Sequence, residues 1–115
     1  MVIEINGKEY ELKFGMKFLS ELNKQTTKNQ VGMDIRIGVE NALLALASGD
    51  MLVLPELIKA STATESNRPT NAQIEKYLET VDLDELAENF LEELKTQSAT
   101  KKKAKAFLEE LKVNK

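Results

Sequence analysis

The sequence predicts a mainly α-helical (α+β) fold, in which an N-terminal two-stranded antiparallel β-hairpin packs on a bundle of about five helices. A C-terminal helical or frayed tail is expected to follow. Three observations predict this fold: apolar and polar residues alternate around Asn6 and Gly7, apolar residues recur at helical spacing from Met16 onward, and capping residues precede the later helices. A chain of 115 residues is long enough for one domain with a single modest core.

The hairpin is predicted over residues 2–14, with Asn6 and Gly7 as its turn. Asn-Gly between alternating runs is the strongest short-range hairpin signal, because a type I′ turn needs positive φ at both central residues. A two-residue loop places Ile5 opposite Lys8, and the large apolar side chains other than Val2 then share one face. Because such a ribbon is not stable alone in water, we expect helices to cover its apolar face.

Five helices are predicted from the spacing of apolar residues and from their end signals. They span about residues 16–26, 34–48, 55–63, 71–80 and 83–97, with a polar loop over 26–32. Asp34 is the expected N-cap of the second helix and Gly49 its expected end. Since Ile37 and Leu44 make this helix apolar on its other sides too, it is predicted to be the central and most buried helix.

The later helices carry explicit start signals. Pro55 fits the first turn of the third helix, where its missing N–H needs no partner. Thr70 with Gln73 three residues on is a capping box for the fourth helix, and Asp82 with Glu85 opens the fifth in the same way. These signals place the helix starts more firmly than apolar spacing alone.

Charge is distributed unevenly along the chain. The net charge is −3, with −6 over residues 51–98 and +4 over residues 99–115. We therefore expect residues 1–98 to form the domain and residues 99–115 a basic C-terminal tail or extra helix. The acidic body argues against nucleic-acid binding, which needs a basic face. No apolar run approaches the roughly 18 residues of a membrane span, so no membrane contact and a cytoplasmic location are expected.

The composition excludes most kinds of active site. The chain has no Cys and no His, which removes thiol nucleophiles, imidazole bases and the usual zinc ligands. Its five Gly residues are scattered rather than gathered into a phosphate-binding loop, and its carboxylates are spaced as on a solvated helix face. We therefore predict no catalytic residue, no metal site and no cofactor.

One hexapeptide, Phe-Leu-Glu-Glu-Leu-Lys, occurs twice, at residues 90–95 and again at residues 107–112. One interpretation is that two amphipathic helices draw on the same helix-forming residues. The other is that the second copy is a detachable helix that competes for the docking groove of the first. The predicted partner-binding positions are apolar residues of the fifth helix and of the second copy. They are Leu83, Leu86, Phe90, Leu94, Phe107, Leu108 and Leu111.

A short basic cluster precedes the second copy. It consists of Lys101, Lys102, Lys103 and Lys105. It is interpreted either as a solvated tail that keeps the chain soluble, or as an electrostatic contact with an acidic partner or with the acidic fifth helix of another copy. The cluster has no aromatic residues among its lysines, which is atypical of nucleic-acid binding.

The N-terminal region resembles a known family. Residues 5–18 read Ile-Asn-Gly-Lys-Glu-Tyr-Glu-Leu-Lys-Phe-Gly-Met-Lys-Phe, which is similar to the opening of the tail assembly chaperones of long-tailed phages and prophages of Gram-positive hosts. The similarity continues through residues 22–24, 32–33, 38–46, 48–50, 57–62 and 68–70. It covers roughly residues 1–100 and contains no catalytic motif.

The resemblance implies a non-enzymatic protein that coats the tape measure protein, keeps it soluble and helps recruit the tail tube (major tail) protein. Such chaperones act in the host cytoplasm and are generally absent from the mature virion. Self-association is a further possible partnership. The alternative is a structural phage component, such as a head-tail connector or tail completion protein. A third possibility is a small regulator, but the sequence shows no basic recognition helix to support it. An enzyme is the last possibility, because the sequence shows no convergent carboxylate site.

Overall fold

A computed structural model of the chain describes residues 1–24, 26–28, 34–36 and 38–113. The N-terminal hairpin consists of β1 (Val2–Ile5) and β2 (Lys8–Glu11), and a second short ribbon consists of β3 (Thr26–Lys28) and β4 (Asp34–Arg36). Six helices lie in the described residues: α1 (Met16–Lys24), α2 (Val39–Ser48), α3 (Val53–Ser61), α4 (Asn71–Leu78), α5 (Leu83–Thr96) and α6 (Lys101–Val113). The predicted fold class, mainly α-helical with an N-terminal hairpin, is confirmed.

The hairpin has the predicted turn and register. Asn6 and Gly7 have φ angles of 53° and 78°, which are the positive values that a type I′ turn needs. Ile5 lies opposite Lys8, and the antiparallel pairing extends to Val2, which lies opposite Glu11. Val2 is 58% exposed, whereas Ile5 is buried. The alternating sequence pattern therefore predicted correctly which face of the ribbon is covered.

The predicted start of the second helix is wrong. Helix α2 begins at Val39, and Asp34 lies in β4 opposite Lys28 instead of capping a helix. Gly38, in an extended conformation, is the N-cap. A start after Gly38 keeps the glycine out of the helix interior, where it would cost about 1 kcal/mol. A loop was predicted over residues 26–32, but residues 26–28 form a strand, and residues 29–32 lie outside the described residues. Ile37 also lies outside the described residues.

Several end signals of the helices are confirmed. Gly49 ends α2 with a φ of 80°, in the left-handed conformation that favours glycine. Thr70 and Gln73 form both bonds of the capping box at the start of α4. Pro55 lies in the first turn of α3, although this helix begins at Val53, two residues earlier than predicted.

The core joins the apolar face of the hairpin to the helices. The ring of Phe14 lies 5.0 Å from that of Phe18 in α1 and 5.9 Å from that of Phe90 in α5, measured between centroids. The N–H of Lys13 donates to the carbonyl of Ser61 at 2.9 Å, which ties the exit of the hairpin to the end of α3. Aromatic pairs at these separations add to the stability that burial alone provides. The hairpin is thus held at both its face and its exit.

The remaining helices close the core from other sides. Helix α1 packs on α3, α4 packs on α3 and β1, and α6 packs on α2 and α5. The hydroxyl of Tyr10 and the ammonium of Lys8 both donate to the carbonyl of Asn67, each at 3.2 Å, which holds the hairpin to the loop before α4. Within the described part of the chain, no helix is long and apolar enough to cross a membrane.

Candidate partner-binding surface

Helix α5 carries four of the predicted partner-binding residues, and the structure separates them by burial. Asp82 caps the helix, accepting a hydrogen bond from the N–H of Glu85 at 3.1 Å, and Leu83 in the first turn is half-buried. The other three lie in the core. Leu86 is 5% exposed, and Phe90 and Leu94 are fully buried. A partner can therefore reach these three only if an element that covers α5 moves.

Phe90 has a structural contact that the sequence did not reveal. Its ring meets that of Phe14 in an edge-to-face arrangement, with an interplanar angle of 74°. Because Phe14 follows directly from the hairpin, this contact ties α5 to the N-terminal end of the fold. Phe90 thus supports the surface of α5 from the core side.

Helix α6 carries the second copy of the hexapeptide and is less buried than α5. Ala104 is fully buried, whereas Phe107 and Leu108 are half-buried. Leu111 lies in the last turns of the helix, and its side chain is outside the described residues. Phe90 and Phe107 therefore occupy equivalent positions of identical hexapeptides but differ in burial.

The four lysines of the basic cluster are all exposed at the start of α6. The ammonium of Lys103 lies 3.7 Å from a carboxylate oxygen of Glu40 in α2, and these side chains are 65% and 73% exposed. An ion pair this exposed contributes little to stability. The cluster therefore remains accessible to solvent and to any acidic partner.

A shallow groove of ≈ 400 Å³ runs between α2 and α6. Its apolar lining comes from Leu44, Ala106 and Phe107, and its charged lining from Glu40, Lys103 and Glu110. Helix α2 packs on α1, α3, α5 and α6, in line with the central position predicted for it, but its Leu44 is 53% exposed. Apolar character around a whole helix indicates burial, and Leu44 departs from it because its side chain lines the open groove beside α6.

A family model described as phage tail assembly chaperone protein, TAC, matches residues 2–109. The chain belongs to the phage tail assembly chaperone family. The match begins in the hairpin and extends into α6, past residue 100, where the resemblance seen in the sequence ends. Neither a curated protein nor a solved structure matches the chain.

The exposed face of α5 gives this chaperone an acidic surface. The exposed carboxylates are those of Asp84, Glu85, Glu88 and Glu92. One of them, Glu92, pairs with Lys95 at 2.8 Å. Helix α5 therefore presents mainly negative charge to solvent, whereas the start of α6 presents positive charge.

Glu21 and Tyr77, two of the described titratable residues, have shifted pKa values, and both lie outside this surface. The hydrogen bond from Lys17, 3.1 Å away, lowers the pKa of Glu21. Burial raises the pKa of Tyr77, which lines a cavity of ≈ 360 Å³ between the hairpin and α4. Among the described residues, no group of three or more His, Cys, Asp or Glu side chains is placed to hold a metal ion.

Proposed function

We propose that this chaperone binds the tape measure protein and keeps it soluble during tail morphogenesis, and that it helps recruit the tail tube protein. It acts in the host cytoplasm, has no enzymatic activity and leaves the tail before the virion is complete. The observation that carries the proposal is the family match over residues 2–109. The structure is compatible with this role, because α5 and α6 are amphipathic and carry apolar side chains next to charged surfaces.

The proposed client surface lies on α5 and α6, at the apolar positions predicted from the sequence. Leu83, Phe107 and Leu108 are half-buried and therefore partly accessible as the protein stands. Leu86 and Leu94 would join the surface when their cover opens. Phe90 supports it through its contact with Phe14.

The basic cluster has a separate proposed role. Its exposed lysines would attract an acidic segment of a tail protein, or the acidic face of α5 on a second copy of the chaperone. Charge contacts of this kind weaken as ionic strength rises, because mobile ions screen exposed charges over about 10 Å at 0.1 M salt. A loss of partner binding on adding salt would support this role.

Co-expression tests the proposal. The tape measure protein of the same phage should remain insoluble when expressed alone and become soluble when expressed with this chaperone, because apolar stripes on the client are then masked. A tape measure protein that stays insoluble in both cases would contradict the proposal. An unrelated acidic helical protein of similar size, expressed at the same level, is the control for a general effect of expression.

The composition of purified mature virions provides a second test. The chaperone should be absent from them. Its presence at stoichiometric levels would instead support the structural alternative, a head-tail connector or tail completion protein.

A further inference from the structure

Helix α6 begins with an unfavourable charge arrangement. Lys101, Lys102 and Lys103 occupy its first three positions, Lys105 follows, and its first turn contains no acidic residue. The N-terminus of a helix carries a partial positive charge, so cations there destabilise it. Helix α5 shows the opposite arrangement, with Asp82 as its N-cap and with Asp84 and Glu85 in its first turn. The start of α6 is therefore much weaker than that of α5.

Few of the described side chains of α6 are buried. Among the side chains described from 101 to 110, Ala104 is the one that is fully buried. Phe107 and Leu108 are half-buried, and the ion pair between Lys103 and Glu40 is exposed to solvent. An alanine buries little apolar surface, and an exposed ion pair adds little. Among the described side chains, α6 is therefore held on α2 and α5 chiefly by Ala104 and by the half-buried Phe107 and Leu108.

The connection between the two helices is firmly anchored. The hydroxyl of Thr100 is buried and donates to the carbonyl of Leu94 at 2.7 Å. This bond holds the short linker to the end of α5. If α6 opens, the motion begins after Thr100 and leaves the linker in place.

The repeated hexapeptide indicates what can take the place of α6. Ala104 and Phe107 follow each other at the same spacing as Ala87 and Phe90 of α5, and both alanines are buried. We infer that α6 is a displaceable cover, and that the face of α2 and α5 beneath it binds an amphipathic client helix with a small residue three positions before an aromatic one. This inference rests on the proposed function, because the client helix would come from the tape measure protein.

Hydrogen exchange of the full-length chaperone tests the opening without any client. Amides of α6 should exchange at least about tenfold faster than those of residues 86–94 in α5, because local opening costs less than global unfolding. The double variant Lys101→Glu, Lys102→Glu should slow exchange across α6 by roughly fivefold or more, since acidic residues stabilise a helix N-terminus. The control, Lys76→Glu, reverses an exposed charge on α4 and should leave α6 unaffected. Equal exchange of α5 and α6 would overturn the inference.

Peptide binding tests the face beneath α6. A labelled synthetic peptide with the sequence of residues 99–113 should bind the full-length chaperone, and it should bind the Lys101→Glu, Lys102→Glu variant at least severalfold more weakly. The same peptide carrying Ala104→Glu should fail to bind, because the site accepts only a small side chain at that position. Binding that is equal for the two peptides, or absent for both, would overturn the inference. Neither measurement involves the tape measure protein, so a failed co-expression test would affect the proposed function alone.

Discussion

The hydroxyl of Thr100 donates a 2.7 Å hydrogen bond to the main-chain carbonyl of Leu94, and both side chains are buried. The bond satisfies a carbonyl in the last turn of α5 that has no partner within its own helix. Replacing Thr100 with Val keeps the shape but removes the donor, and we expect a loss of about 1–2 kcal/mol in the free energy of unfolding. Urea denaturation measures this loss. Thr100→Ser retains the hydroxyl and should lose clearly less, and equal losses for the two variants would show that the bond is unimportant.

Substitution of Phe90 tests whether the apolar residues of α5 belong to the core or to a binding interface. Because its ring is fully buried against Phe14, Phe90→Ala should lower the free energy of unfolding by about 3–5 kcal/mol. Met16, which is 76% exposed, provides the control, and Met16→Ala should change stability by no more than about 0.5 kcal/mol. Intact stability of Phe90→Ala together with lost binding of the tape measure protein would instead place Phe90 at the interface.

The hairpin turn makes a prediction about backbone conformation. Gly7 has a φ of 78°, and a Cβ atom at this position would meet no other atom within 4 Å. Any loss of stability on substitution therefore comes from the backbone conformation alone. Gly7→Ala should therefore destabilise the protein by about 1–2 kcal/mol, the cost of placing a residue with a Cβ in the left-handed region. Gly7→Asn should cost less, since Asn tolerates this region better. Thermal unfolding followed by circular dichroism compares the two variants, and a larger loss for Asn would contradict the explanation.

The pKa of Glu21 makes a prediction about pH. Hydrogen bonding and charge from Lys17, together with Lys24 at 3.5 Å, hold the pKa of this carboxyl below its ordinary value. A carboxyl with a lowered folded-state pKa contributes stability above its unfolded-state pKa and loses it as pH falls through the folded-state value. Lys17→Gln should raise the pKa of Glu21 toward its ordinary value, as measured by NMR titration of the side-chain carboxyl. The matched variant Lys59→Gln, which removes a lysine from α3, should leave it unchanged.

Local signals in the sequence predicted local structure well. Asn6 and Gly7 specified the hairpin and its register, and Thr70 with Gln73 specified the start of α4. These succeed because each depends on a few neighbouring residues whose backbone conformations and hydrogen bonds are nearly independent of the rest of the fold. The predicted start of α2 was wrong because it depended on residues distant along the chain. The residues after Asp34 are compatible with a helix, but pairing with residues 26–28 favoured a strand.

The candidate surface was only partly predictable. The sequence showed that α5 and α6 are amphipathic and share a hexapeptide, but apolar spacing looks the same for a core stripe and for a binding stripe. It also indicated that Leu44 lies on a buried helix, whereas this side chain lines an open groove beside Phe107. A single apolar side chain can stay exposed even on a helix that packs on four others, because a folded protein still exposes part of its apolar surface.

The sequence by itself determined the mainly helical class, the N-terminal hairpin with its register, the caps of α4 and α5 and the resemblance to tail assembly chaperones. Only the tertiary structure decided that Phe90 is buried against Phe14 while Phe107 is half-exposed, although both lie in the same hexapeptide. The physical reason is that burial depends on what packs against a side chain. Phe90 of α5 meets Phe14 at the hairpin side of the core, whereas α6 packs on α2 and α5 and leaves Phe107 partly open to solvent among the described residues.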